Sequence, residues 1–464
     1  MDSSSNTFNP NKRLKEEFVS NLSGSSMLEI AALSSVIPLL FVLQHSISSY
    51  YKTGCDLSTK KDDNVQPRSK SLGIYMVFLT VDFLFIVLLT LLFLTVLADW
   101  TFISAILLMA LIFSIAAKRA VSSTSNSQGS LSLRAHVSSY RVLVMVVTCL
   151  CILAVDFRIY PRRYAKTETY GTSVMDLGVG SFILANSLVS RQARSVSLVN
   201  LKTTIQSVSP LLFLGFGRLL STKTVDYQVH IGEYGMHWNF FFTLAAVSIL
   251  TSMIRVPPKY SGILGLAILI GYQFWLNNGL NGYLLSNKRG AGIISKNKEG
   301  VFSILGYWGM YLLGVQLGYH LFFGNHPSAA NKSNNWARIR VLFLSVLFWL
   351  ITLFLDRHVE RVSRRMCNLA YVTLVLAQNL QVLAILMLSD FIAGSKISVL
   401  EEAIDRNLLG TFLLANVLTG LVNLSVDTLF ATSPVALFIL IVYAYVLSII
   451  AGIVHFSGIR LRFW

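Results

Sequence analysis

Thirteen apolar runs recur along this chain, most of them long enough to cross a membrane, and no other feature constrains its fold as strongly. A spanning helix needs about 20 mostly apolar residues. The runs lie near 27–46, 73–96, 98–117, 138–155, 172–190, 197–217, 237–254, 259–277, 301–323, 340–355, 367–389, 408–426 and 434–456. Hydrophobic residues make up 54% of the sequence and charged residues 13%, whereas a soluble domain carries about 25% charged residues. The mean hydropathy of +0.62 points the same way. The expectation is an all-α, polytopic transmembrane bundle of about thirteen spans. It divides into a polar N-terminal segment at 1–26, a single membrane domain at 27–456 and a short tail at 457–464. The run at 172–190 is the least regular, because it holds Asp176, Asn186 and several Gly and Ser residues. MDSSSNTFNPNKRLKEEF has no early apolar core, so the first apolar helix, not a cleaved leader, is expected to direct the chain to the membrane.

The net charge of +16 would suggest nucleic acid in a soluble protein. Here the basic residues sit mostly between apolar runs, where they orient the chain and meet anionic head groups, so no nucleic-acid partner is expected. Thirteen spans place 17 of the 38 Lys and Arg residues on the N-terminal side and 21 on the other. The bias favours a non-cytoplasmic N-terminus and a cytoplasmic C-terminus. The four cysteines, Cys55, Cys149, Cys151 and Cys367, show no CxxC spacing. They read as small buried hydrophobes, and no metal site is expected.

Four polar clusters interrupt the apolar pattern: KEEFVSNLSGSSMLEI (15–30), VDFRIYPRRYAKTETYGTSVMDLGVGSF (155–182), NNGLNGYLLSNKRGAGIISKNKEGVFSILGYWG (277–309) and LLANVLTGLVNLSVDT (413–428). Spans assigned from apolarity alone put all four on the N-terminal side, which implies one polar site facing one compartment. In the second cluster Asp156 ends an apolar run and Lys166 follows ten residues later, across a proline turn. A carboxylate can take a proton from a hydroxyl, and a lysine can stabilise developing negative charge. Ionisable groups at membrane depth are functional candidates, which singles out Asp156 and Asp176. Arg158, Arg162 and Arg163 suit a phosphate or, equally, an anionic-lipid anchor. The third cluster offers Lys288, Arg289, Lys296, Asn297, Lys298 and Glu299 among glycines, and reads either as a ligand loop or as a flexible basic loop. It has no Walker spacing. The fourth offers Asn416, Asn423 and Asp427. His237 and His455 stand at span ends and read more readily as interfacial residues than as catalytic bases.

The first two stretches, with HWNFFFT (237–243), NKRGAGIISKNKEGVFSILGYWGMYLLG (287–314) and FLLANVLTGLVNLSVDT (412–428), resemble the PIG-W family, the inositol acyltransferases of glycosylphosphatidylinositol (GPI) anchor biosynthesis. The resemblance runs from residue 15 to 428. It implies an endoplasmic reticulum membrane enzyme of about thirteen spans. Such an enzyme moves a fatty acyl group, typically palmitoyl, from acyl-CoA to the inositol 2-hydroxyl of glucosaminyl-phosphatidylinositol. It implies Asp156 and Lys166 as the catalytic pair, with polar loops facing the lumen. Arg162, Arg163, Asp176, Lys288, Arg289, Asn297, Lys298, Asn416 and Asn423 are then the expected substrate-binding residues. Acyl-CoA is a co-substrate and no cofactor or metal is expected; membrane lipids surround the domain, and the sequence names no protein partner. Both substrates carry fatty chains, so the site must open between helices to the bilayer. The competing reading is an ion-coupled secondary transporter, which the same number of spans would suit.

Overall fold

The computed structural model describes residues 14, 17–59, 72–122, 131–195, 201–224, 231–286, 288–323, 334–392 and 394–461. Every apolar run forms a helix. In chain order these are α1 (Met27–Thr59), α2 (Leu72–Phe93), α3 (Thr101–Ser122), α4 (Leu133–Ala154), α5 (Val174–Leu188), α6 (Leu201–Thr224), α7 (Phe240–Met253), α8 (Ser261–Leu285), α9 (Lys298–Phe323), α10 (Asn334–His358), α11 (Leu369–Leu386), α12 (Leu408–Ser425) and α13 (Ser433–Phe456). No strand forms among the described residues; only isolated bridges join Gly24 and Ser25 to Thr172. Among the described residues ten helices are long and apolar enough to cross a membrane, which makes this a multi-pass membrane protein. The other three are shorter in their apolar part: α5 has 15 residues, α7 has 14, and α6 is apolar over Thr204–Leu220. At 1.5 Å per residue α5 and α7 reach only about 22 Å, short of the roughly 30 Å hydrocarbon core.

Several helices begin where sequence chemistry tells them to. Ser173, Asn239 and Asn368 cap α5, α7 and α11, each side chain accepting a first-turn backbone N–H. Such short polar side chains satisfy donors that have no partner within the helix. Helix α11 sits at the centre. The most apolar 18-residue window of its span is 89% buried, against 22% for α10 and 17% for α12, as expected of a helix that is hydrophobic all round. Tyr371 on α11 and Tyr307 on α9 are wholly enclosed and meet edge to face.

The four polar clusters converge at one end of the bundle. Backbone bonds tie the first to the second: Ser25 N–H donates to the Thr172 carbonyl (2.7 Å) and Glu168 N–H to the Leu22 carbonyl (2.9 Å). Gly24 is needed here, because it has φ +80° and a Cβ would come within 2.2 Å of the Thr172 oxygen. The fourth cluster reaches the second through Asn423 and Asp156. The third supports the loop preceding α7, where Met236 N–H donates to the Lys296 carbonyl (3.1 Å) and His237 N–H to Asn297 Oδ1 (2.8 Å).

Candidate active site

A cavity of about 920 Å³ opens at this polar end. It runs down between α1, α4, α5, α11 and α12, with α6 and α7 completing the wall. Its upper part carries Asp156, Lys166, Arg218, Glu233 and Arg364, and its lower part is mainly apolar, with Leu33, Ile37, Leu143, Val147, Phe240 and Phe412. Asn416, Val417 and Gly420 on α12, and Phe213, Gly217 and Arg218 on α6, line the cavity while also being exposed on the outside of the bundle. The chamber therefore opens sideways between these two helices as well as at the polar face.

Asp156 follows directly on α4 and is 6% exposed. Asn423 Nδ2 donates to its Oδ2 at 2.8 Å. Lys166 donates to both carboxylate oxygens of Glu233, at 2.7 and 2.8 Å. Glu233 also meets Arg364 Nη1 at 3.4 Å, and Arg364 Nε donates to Asp176 Oδ1 at 2.8 Å. Thr167 donates to Asp176 from its hydroxyl (2.8 Å) and its N–H (3.2 Å). The result is an alternating chain of charge, Lys166–Glu233–Arg364–Asp176, drawn from three separated loops and the first turn of α5. Burial pushes the Glu233 carboxyl up, but the Lys166 ammonium and the Arg364 guanidinium outweigh it and hold Glu233 at about 2. Burial pulls the Lys166 ammonium below the ordinary lysine value, and Glu233 offsets only part of that fall. Burial likewise opposes charge on Arg364, yet Glu233 and Asp176 hold it above the usual arginine range.

Of the residues expected from sequence, the cavity gathers Asp156, Lys166, Asn416 and Asn423. Asp156 and Lys166 face one chamber, each with a partner that sequence spacing did not suggest. Asp176 stands behind the wall and acts on the chamber through Arg364. Arg162, Arg163, Lys288, Arg289, Asn297 and Lys298 are not lining residues. Arg162 turns back onto the carbonyls of Val155, Phe157 and Tyr160, at 2.9–3.2 Å, so it closes the C-terminal end of α4. Arg163 pairs with Glu29 (2.7 Å) and Asp99. Arg289 forks onto Glu299 (2.7 and 3.0 Å), which Arg365 also meets at 3.0 Å. Lys298 is wholly buried, and its ammonium donates to the carbonyls of Tyr283, Ser286 and Lys288 at 2.6–3.2 Å. Lys288 itself is exposed. His455 pairs with Tyr75 at the far end of the bundle (3.0 Å). Cys149, Cys151 and Cys367 are buried and free, and among the described residues no group of His, Cys, Asp and Glu is arranged to hold a metal.

Glu233, Arg364 and Arg218 are chamber residues that sequence reasoning missed. Arg364 lies in RVSRRMCN, an arginine-rich turn before an apolar run on the same side as the other clusters, and that was a readable signal. Glu233 is a single acidic residue in a short turn, IGEY, with nothing local to mark it.

Fold and site together define a multi-pass α-helical membrane protein built around one charged chamber that is open both to a polar face and to the bilayer. The chain belongs to the GWT1 family, whose model matches residues 11–454. It is 58% identical to an uncharacterized protein of Arabidopsis thaliana, over 92% of this chain and 98% of that one. It is 36% identical to the GPI-anchored wall transfer protein 1 of Aspergillus oryzae, over 97% and 99%. It is also 32% identical to the glucosaminyl-phosphatidylinositol-acyltransferase PIGW of Bos taurus, over 98% and 99%.

Proposed function

We propose that this protein is an O-acyltransferase that moves a fatty acyl group, typically palmitoyl, from acyl-CoA to the inositol 2-hydroxyl of glucosaminyl-phosphatidylinositol. It works in the endoplasmic reticulum membrane with its N-terminus and chamber toward the lumen and its C-terminus in the cytoplasm. The observation that carries this reading is the chamber itself. It holds a buried carboxylate and a paired ammonium above an apolar shaft, with a side opening through which a lipid can enter.

In the reaction Asp156, aligned by Asn423, takes the proton of the inositol hydroxyl. The oxygen attacks the thioester carbonyl carbon, and the new oxyanion is met by the Lys166 ammonium, which Glu233 keeps charged. Collapse of the tetrahedral intermediate forms the ester, breaks the carbon–sulfur bond and releases CoA thiolate, which accepts the proton held by Asp156. Preorganised charge at a developing oxyanion is commonly the largest single catalytic contribution, and general base assistance adds about 10²–10⁴-fold. Lys166, Arg218 and Arg364 supply positive charge for phosphates at the mouth. Asp176, Arg289, Asn297 and Lys298 act indirectly, by holding Arg364 and the loop that bears Glu233.

The test uses purified protein, glucosaminyl-phosphatidylinositol and radiolabelled palmitoyl-CoA, with the parent, Asp156→Asn and Lys166→Met compared after all three are shown to be folded. Product from the parent and a loss of about 100-fold or more in both variants is the expected result. Equal rates in all three would overturn the residue assignment. No transfer by a well-folded parent would overturn the acyltransferase reading in favour of transport.

A further inference from the structure

Helix α11 carries three buried or half-buried amides in four residues, and they are treated differently. Asn379 accepts from the Tyr140 hydroxyl (2.9 Å) and donates to the Val375 carbonyl (2.7 Å). Gln381 accepts from Trp349 Nε1 (2.9 Å) and donates to the Ala31 carbonyl (2.9 Å) and Ser35 Oγ (2.8 Å). Gln378 is 1% exposed, yet neither its nitrogen nor its oxygen has a partner. It also lines the apolar part of the chamber. Gln44 and Gln192 leave only the amide oxygen unmet, whereas Gln378, in the chamber wall, leaves both atoms unmet, and that calls for a different explanation. Leaving a buried amide unpaired is costly, and an apolar side chain of similar shape would avoid that cost. Gln378 is nine residues into α11, about 13 Å below the polar face at 1.5 Å per residue. Ser34 on α1 and Thr148 on α4 line the same chamber, about 10 Å below that face by the same rise, so uncharged hydrogen-bonding groups ring its middle.

We propose that Gln378 is a specificity-determining residue, whose amide pairs with a hydroxyl carried part-way along the acyl chain in the shaft, so that hydroxylated acyl groups are accepted alongside plain ones. The proposal rests on the acyl-chain occupancy put forward above. An extended chain advances about 1.2 Å per bond, from about 3.6 Å per three-bond residue. A depth of about 13 Å is then about eleven bonds, which matches a hydroxyl near carbon 12. A plain chain slides past an amide that is unpaired already and so loses nothing; a hydroxylated chain gains a hydrogen bond in place of the water it gave up.

The experiment compares stearoyl-CoA with 12-hydroxystearoyl-CoA as donors to glucosaminyl-phosphatidylinositol, using the parent and Gln378→Leu. The expected result is a fall of about tenfold in the ratio of kcat/KM for hydroxylated over plain donor in the variant, the worth of one hydrogen bond. Stearoyl transfer should stay within about twofold and the melting temperature should rise, because the variant loses an unsatisfied polar group. An unchanged ratio overturns the proposal. So does a parent that rejects the hydroxylated donor more than tenfold, a measurement that stands even if the variant fails to accumulate. Competition binding of free stearic and 12-hydroxystearic acids to the purified protein needs no turnover. If the binding ratio falls while neither donor is transferred, the acyltransferase reading fails and this one survives; if transfer proceeds and the binding ratio is unmoved, this one fails alone.

Discussion

Replacing Glu233 with Gln tests the logic of the chamber most directly, because one carboxylate serves two cations. Its oxygens lie 2.7 and 2.8 Å from Lys166 and 3.4 Å from Arg364, and its side chain is only 15% exposed. Its pKa is lowered from 4.5 to about 2; at 1.36 kcal/mol per unit that is about 3 kcal/mol of interaction favouring the ionised form. Because the folded value lies below the unfolded one, this stabilisation is complete above about pH 4.5 and is lost only as pH falls through about 2. The variant should therefore be less stable than the parent by up to about 3 kcal/mol, by a margin that is flat between pH 6 and 8, as read by thermal unfolding in detergent. The catalytic effect has a different pH signature. Lys166, already pulled down by burial, loses its counterion and keeps Arg364 and Arg218 as like-charged neighbours. Without Glu233 the Lys166 pKa falls further, so the alkaline limb of the rate profile should move to lower pH and kcat at pH 7.5 should fall. A variant that is less stable but whose alkaline limb does not move would refute the role of Lys166 as a charged group in the reaction.

Three further outcomes are expected. Asn423→Ala removes the donor to Asp156, and a hydrogen bond to a charged group is worth about 1.5–3 kcal/mol; kcat should drop about tenfold or more, with little change in KM for acyl-CoA. Gly235→Ala places a Cβ 2.5 Å from the Asn297 Cα at φ +104°, a strain of about 1–3 kcal/mol; it should displace the loop bearing Glu233 and lower activity more than Asn297→Ala does. Gly420→Trp adds a side chain where a Cβ meets nothing within 4 Å, at the side opening; KM for glucosaminyl-phosphatidylinositol should rise severalfold in vesicles, with the melting temperature unchanged.

The helices were legible because their signal is local: a run of apolar residues bounded by Ser, Asn or charge. The convergence of the four polar clusters was legible too, since alternation of spans decides which loops share a side. Asp156 and Lys166 emerged from the same reasoning. The partners did not. Lys166 and Glu233 are 67 residues apart, and Glu233 and Arg364 are 131 apart, and no pattern in the sequence reports which distant loop lies over which. Nearness along the chain also misled: Arg162 and Arg163 follow Asp156 closely, yet one closes a helix end and the other pairs with Glu29 and Asp99. The basic, glycine-bearing loop at 286–299 has the composition of an anion site, but Lys298 and Arg289 hold the loop to itself. Composition shows that cations are present without showing whether the protein's own carbonyls have claimed them.

The chain Lys166–Glu233–Arg364–Asp176 has two positive and two negative members, so it buries four ions with no net charge. Ribosomal synthesis delivers them in a different order. Lys166 and Asp176 emerge first, Glu233 some sixty residues later, and Arg364 only once most of the protein has been made. Until then Asp176, at the head of the short α5, has no guanidinium to neutralise it, and its carboxylate favours the water side of the membrane. Completion of the row is thus tied to the turn between α10 and α11: a chain interrupted before residue 364 would carry Asp156 and Lys166 yet lack the guanidinium that links Glu233 to Asp176.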